Sequence, residues 1–278
     1  MKFYQILTVA AIALFTAASC DKIDFEDRFD GPVAVESGKN ILIEDYTGQK
    51  CSNCPLAHAE IETLQKAYGS SRVIAVALHG GPQAVDEGNP NLIGLANEES
   101  REYNRRLGKF SYPKGVVDRK SGLLDFEKWN AFAVSRFSAA PKVKLQLHDI
   151  SADTASRKIA FKCSVEGIEA VKGNLQLCLT ESNIVAVQTM PAVWGGGHKA
   201  DYVHNHVFRA AVNGLDGEPM EIAASQNVSG EYSCSLKDGW NPQNMSLVAF
   251  FYNETDGVMQ VTDAPVIENN LQISNKIK

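Results

Sequence analysis

Two cysteines separated by two residues, Cys51 and Cys54, are the side chains of this sequence best suited to do chemistry. A Cys-x-x-Cys pair serves as a redox couple, as half of a zinc site or as a structural disulfide. Haem attachment needs His after the second Cys, and Pro55 stands there instead. Zinc needs two more ligands; His58 reaches the same helical face, but no second Cys pair follows. In a redox couple Cys51 attacks and Cys54 resolves the mixed disulfide. An ordinary thiol, with a pKa of about 8.5, is only slightly ionised at neutral pH, and lowering it to about 7 makes it half thiolate. Lys50, next to Cys51, contributes a positive charge in that direction.

The elements around the pair must place it. Ile41-Leu42-Ile43 reads as a strand and Tyr46-Thr47-Gly48 as the way out of it. Ala57, Ile61, Leu64 and Tyr68 then recur at helical spacing, with Gly69 as the stop. Cys51 would therefore sit at a helix N-terminus, where unsatisfied N–H groups and the helix dipole favour a thiolate. Strand, turn, Cys-x-x-Cys and helix form the layout of a thioredoxin-like redox site. Residues 72–79 read as a central parallel strand, nearly unbroken in apolar character, that ends at Gly80-Gly81-Pro82. A second helix is expected over about 92–107 and a third over about 125–138, with Trp129, Ala133 and Phe137 inward. Between them Pro113 enters a strand, where proline is unusual. In the thioredoxin fold, which this order resembles, a cis-proline at this point lies against the Cys-x-x-Cys. The resemblance implies that Tyr112–Pro113 is cis and Pro113 the third site residue, the alternative being a trans edge-strand proline. Residues 39–140 thus read as a thioredoxin-like α/β sandwich. It departs from that fold's usual pattern at Lys50, where Trp is common, and at Pro55. Glu44 and Asp45 are candidates for a buried carboxylate serving the resolving cysteine, the alternative being a solvent-facing strand end.

From Pro141 the hydrophobic period changes to two, as in Val143/Leu145/Leu147 and Ile159/Phe161/Cys163/Val165. Residues 141–278 read as an all-β, immunoglobulin-like sandwich. Cys163, Cys178 and Cys234 are expected as free thiols, with a Cys163–Cys234 bridge as the alternative. His204 and His206 read as sharing one strand face, and with His198 they are the histidines that bear on a metal. The plainer reading is a polar strand edge bonded to its neighbours, so neither a metal nor a cofactor is expected. Trp194 and Gly195-Gly196-Gly197 suit a binding loop. Asp153-Thr154-Ala155 resembles a short O-glycosylation signal of some envelope proteins.

The start of the chain concerns location. Lys2, the uncharged run Phe3–Phe15 and Thr16-Ala17-Ala18-Ser19 read as an export signal over 1–19, too short to span a bilayer. It ends on Cys20, resembling a bacterial lipobox with Ala17 where Leu is usual, which implies cleavage and lipidation at Cys20. Residues 20–38 read as an acidic tether. With 278 residues, 44% of them hydrophobic, the chain can bury two cores. A net charge of -6 without a Lys/Arg cluster argues against nucleic acid. The membrane is therefore expected as a partner through the N-terminal lipid, with a protein thiol or disulfide substrate or a surface ligand as the other.

The lipobox-like start, the Gly48-Gln49-Lys50-Cys51-Ser52-Asn53-Cys54-Pro55 turn and the Tyr202-Val203-His204-Asn205-His206-Val207-Phe208-Arg209 stretch occur together here. With them the chain resembles the outer-membrane-protein-twenty-eight-related family of oral and gut Gram-negative anaerobes, over nearly all of its mature length. The resemblance implies an outer-membrane lipoprotein, facing the periplasm or the cell surface, with a thioredoxin-like domain and a β-rich partner domain. The role usually suggested for that family is adhesin or receptor. Two functions follow as expectations: a thiol–disulfide oxidoreductase using Cys51, Cys54 and Pro113, and a surface-binding protein whose Cys-x-x-Cys is a structural disulfide.

Overall fold

A computed structural model describes residues 38–267. The signal segment, Cys20 and most of the acidic tether lie outside the described residues. The chain is a mixed, sheet-rich α/β protein. Its first half runs β1 (Ile41–Thr47), α1 (Cys54–Tyr68), β2 (Val73–His79), α2 (Glu98–Arg106), β3 (Lys114–Val117) and α3 (Trp129–Phe137). β1 pairs in parallel with β2 and antiparallel with β3. Both β1 and β2 are buried along their whole length, because α1 and α3 cover one face while α2 and strands of the second half cover the other. Unbroken burial on both faces is what selects their continuous apolar sequence.

Local signals set most helix ends. Pro55 occupies the first turn of α1, where its missing N–H costs no helical bond, and Gly69 ends the helix at φ 98°. α2 starts at Glu98 rather than near Leu92. The Asn97 side chain accepts from the Ser100 N–H at 2.9 Å and Ser100 Oγ accepts from the Asn97 N–H at 3.0 Å, a reciprocal cap that fixes the first turn. α3 is preceded by a short 3₁₀ turn, Phe126–Lys128.

The second half contains β4 (Val143–Asp153), β5 (Lys158–Gly167), β6 (Val171–Glu181), β7 (Ile184–Thr189), β8 (His198–His204), β9 (Val207–Ala211), β10 (Glu218–Ile222), β11 (Asn227–Ser235), β12 (Met245–Asn253) and β13 (Gly257–Pro265). β11, β5 and β4 form one antiparallel sheet. It packs Ile159, Phe161, Cys163 and Val165 against Leu175, Leu177 and Leu179 of β6 and Leu247 and Phe251 of β12. Cys178 turns to the opposite face, as alternation requires, and Cys163, Cys178 and Cys234 are free. The large sheet runs β13-β12-β6-β9-β2-β1-β3, with β10 also on β6, so the two halves share it. The join is narrow: β2 and β9 meet at Ala77 and Val207, where the Ala77 N–H donates to the His206 carbonyl at 2.8 Å.

Asp118 ties the start of the described chain to this sheet. It is fully buried, accepts from the Leu42 N–H at 3.0 Å and from Arg136 Nε at 3.1 Å, and pairs with the buried Lys39 ammonium. Its own carbonyl accepts from the Val258 N–H of β13 at 2.7 Å. Removing one member of a buried ion pair strands the other's charge, at a cost of about 3–5 kcal/mol. Asp118→Ala is therefore expected to lower the unfolding free energy by about that amount in a denaturant titration. A loss under about 1 kcal/mol would refute this account of the cluster.

Candidate functional site

Gly48 turns the chain out of β1 so close to the next loop that a Cβ there would meet the backbone of Gln83 at 2.7 Å. The Lys50 N–H donates to the Gln83 carbonyl at 2.8 Å, and the Lys50 side chain points to solvent. Cys51 and Cys54 form a disulfide at the start of α1. The Cys54 N–H donates to Cys51 Sγ at 3.1 Å, so the first amide of the helix is aimed at that sulfur. Tyr112–Pro113 is cis and Pro113 is buried at the head of β3, antiparallel to β1.

The disulfide is covered. Cys51 is 2% exposed and Cys54 fully buried. The cover is the β7–β8 hairpin, a two-stranded sheet of its own. Gln188 of β7 is fully buried and donates from Nε2 to the Cys51 carbonyl at 2.8 Å. The Thr189 N–H donates to the Gln49 carbonyl at 2.8 Å, and Gln49 Nε2 donates to the Ile93 carbonyl at 2.9 Å and to that of Val187 at 3.3 Å. Sequence reasoning missed Gln188 and Gln49. The signal for Gln188 was a lone amide at an inward position of a period-two run, but nothing local says which surface that run meets.

Beneath the hairpin lies a group of titratable side chains. Asp45 is on the α1 side of β1, fully buried and without a hydrogen bond, its carboxylate 3.5 Å from His58 Nε2. His58, one turn after Cys54, bonds Thr47 Oγ1 at 3.0 Å and the Tyr202 hydroxyl at 2.9 Å. The His79 and His204 rings, each 1% exposed, pack with centroids 5.5 Å apart. Neither ring makes a hydrogen bond of ordinary geometry; only backbone near Ala77 compensates His79, and backbone near Ala186 and Val187 compensates His204. Glu44, on the opposite face of β1, is held by Arg119 at 2.8 Å. Neither Glu44 nor Asp45 faces solvent, because the strand end is roofed by other elements; this corrects the plainer expectation for both.

The histidine grouping also changes. His206 has φ 57° and breaks the chain between β8 and β9, so it shares no strand face with His204. His198 is exposed at the start of β8 and bonds Thr189 Oγ1 at 3.2 Å. Among the described residues, no three His, Cys, Asp or Glu side chains are arranged to hold a metal ion.

Burial sets the charge states. It pushes the His58 pKa down to about 3, with His204 and His206 adding to the shift, and that of His204 down to about 4; His79 is also lowered. Burial raises the Asp45 carboxyl well above its usual range. Burial thus works against the charged form of both groups where Asp45 meets His58. A His depressed in the fold and ordinary when unfolded leaves stability intact above about pH 6.5, and stability is lost as the pH falls toward the folded value. Each such imidazole contributes a slope of about 1.4 kcal/mol per pH unit in that window. Asp45 works in the opposite sense, since the unfolded chain gains by ionising it above about pH 3.9. Denaturant titrations from pH 7 to 4.5 should show stability falling, with a slope shallower by about one proton in His204→Gln. Asp45→Asn should be more stable than the parent at pH 7. An unchanged slope in the first variant, or a destabilised second one, would contradict these charge states.

Comparison with known proteins adds family and place. The chain matches the family described as Outer membrane protein Omp28 over residues 100–270, more than half its length. It is similar in fold to HBP35 of Porphyromonas gingivalis, at 17% identity and a TM-score of 0.61, covering 82% of this chain and 75% of that one. A domain of the outer membrane lipoprotein Omp28 from Porphyromonas gingivalis matches at 22% identity and a TM-score of 0.30, covering 45% of this chain and 87% of that one. No curated protein sequence matches the chain. Among the described residues no helix is long and apolar enough to cross a membrane. The chain belongs to the Omp28 family of outer-membrane proteins, and the outer membrane is its location.

Proposed function

We propose that this is a lipid-anchored outer-membrane binding protein, attached through Cys20, whose Cys51–Cys54 disulfide is a structural clasp. In this reading a thioredoxin-like half (39–140) and an immunoglobulin-like half (141–278) form one scaffold that presents a binding surface. The observation that carries it is the cover over Cys51, 2% exposed beneath Gln188. Thiol–disulfide exchange needs a thiolate to reach a sulfur, and the near-complete burial of both cysteines opposes that approach. The order β1-α1-β2-α2-β3-α3 supports the thioredoxin-like half, and the two packed antiparallel layers support the immunoglobulin-like one.

The second reading is a thiol–disulfide module that works when the hairpin lifts. Two observations favour it: the cis bond at a buried Pro113 and the buried Asp45 carboxyl on the α1 side of β1.

The rate at which dithiothreitol reduces the native protein separates the two. A clasp should be reduced only through unfolding, so the rate should climb steeply with urea below the transition. Cys51→Ala/Cys54→Ala should then lose roughly 2 kcal/mol of stability on the loop-entropy relation for so short a loop. Fast reduction independent of urea, with disulfide reductase activity abolished in Cys51→Ser, would establish the redox module instead.

A further inference from the structure

We propose that the cavity between the Gly80–Pro82 loop and the Lys109–Tyr112 segment binds a small aromatic carboxylate. The site is separate from the disulfide and independent of how the disulfide is read. Its position follows a general rule of α/β sheets, which hold ligands in the crevice beyond the carboxyl ends of parallel strands. Gly80 directly follows β2, one of the parallel pair. The cavity measures about 790 Å³, within the range of small-molecule sites.

Its floor is aromatic. The Phe110 and Tyr112 rings lie 4.9 Å apart, and Phe110 is backed edge-on by Tyr46 at 5.8 Å. The Tyr112 hydroxyl donates to Asn104 Oδ1, so its polar end is already satisfied and the rings offer apolar surface. Gly81 makes this closure possible: a Cβ there would fall 1.8 Å from the Tyr112 hydroxyl oxygen. A flat, apolar ligand body suits such a floor.

Its charge is one-sided. Arg101, Arg105 and Lys109 are among the lining residues, and no Asp or Glu is, in a chain of net charge -6. The carboxylates paired with the two arginines, Asp86 and Glu102, lie outside the lining. Basic residues in the last turn of α2 complement the helix dipole, which accounts for Arg105 without a ligand. It does not account for Lys109, which lies beyond the helix after Gly108 and has no hydrogen-bond or ion-pair partner among the described residues. Arg101 is partly committed, since it also donates to the Gly80 and Gly81 carbonyls at 3.3 Å. Lys109 is the unpaired end that a ligand carboxylate would meet, with the exposed Arg105, held by Glu102, beside it.

Calorimetric titration of the intact protein with 2-naphthoate, neutral 2-naphthol and cationic 2-naphthylmethylamine tests both the charge and the floor. We expect saturable binding of naphthoate, about tenfold weaker binding of naphthol, and none of the amine. Arg105→Gln/Lys109→Gln, two changes at exposed positions, should cost naphthoate about tenfold and leave naphthol unaffected. Phe110→Leu should weaken both. Equal affinity for all three compounds, naphthoate binding unchanged in the double variant or in Phe110→Leu, or no saturable binding in the millimolar range would overturn the proposal.

Discussion

The hydrogen bond from Gln188 to the carbonyl of Cys51 is the contact on which the site's behaviour turns. A buried amide has to find partners, and Gln188 finds them in the turn that carries the cysteines and in its own strand. Through it, a hairpin from the second half becomes the roof of a site built by the first. With the roof in place, burial pushes the His204 imidazole pKa down and that of the Asp45 carboxyl up. Sulfur access, charge state and acid sensitivity are thus consequences of one docked hairpin.

The same interdependence runs through the packing. The cluster on the α2 face of β1 and β2 takes Leu42, Ile74 and Val76 from the first half, and Phe208, Val248, Phe250 and Val261 from the second. Arg119 sits among them, holding Glu44 of β1 while its guanidinium lies 4.6 Å from the centre of the Phe250 ring and 4.3 Å from that of Tyr252. Glu44 is therefore paired with a guanidinium, whereas its neighbour Asp45, on the other face, meets an imidazole at 3.5 Å. Alternation along a single strand explains why adjacent carboxyls have opposite fates. Both halves are needed to close this cluster, although their strands pair at a single position, Ala77 and Val207.

Local chemistry was readable from the sequence, whereas long-range docking was not. Cys51 and Cys54 before a helix, Pro55 in its first turn and Gly69 at its end all follow from residue type and near neighbours, whereas the cis bond at Pro113 was expected only from likeness to the thioredoxin fold. The free, oppositely facing Cys163 and Cys178 follow from alternation. The reciprocal cap at Asn97 and Ser100 was also in the sequence, and reading it would have moved the start of α2 to its observed place. What could not be read is which surface a strand meets. Residues 202–209 look like one strand, and only the left-handed backbone at His206 divides them into β8 and β9. That division sends His204 to His79 and separates it from His206 and His198.

The cost of the roof bears on both readings of the disulfide. Asp45, His79 and His204, and one oxygen each of Gln49 and Gln188, are buried without a hydrogen bond of ordinary geometry. An unsatisfied buried polar group costs about 1–3 kcal/mol, and these gather where the hairpin meets the carboxyl ends of β1 and β2. Lifting the hairpin returns water to them, while the outward faces of Val185 and Val203 are already wet and lose little. The sandwich core of Phe161, Leu177, Leu247 and Phe251 has no such relief and resists opening with its full apolar burial. The two readings of the disulfide differ in whether the site opens below the cost of global unfolding, the free energy that governs how often Cys51 meets a thiolate. Because it is seated on buried imidazoles whose pKa values lie below their ordinary range, the hairpin loses part of its hold as the pH falls, an effect that Asp45 opposes.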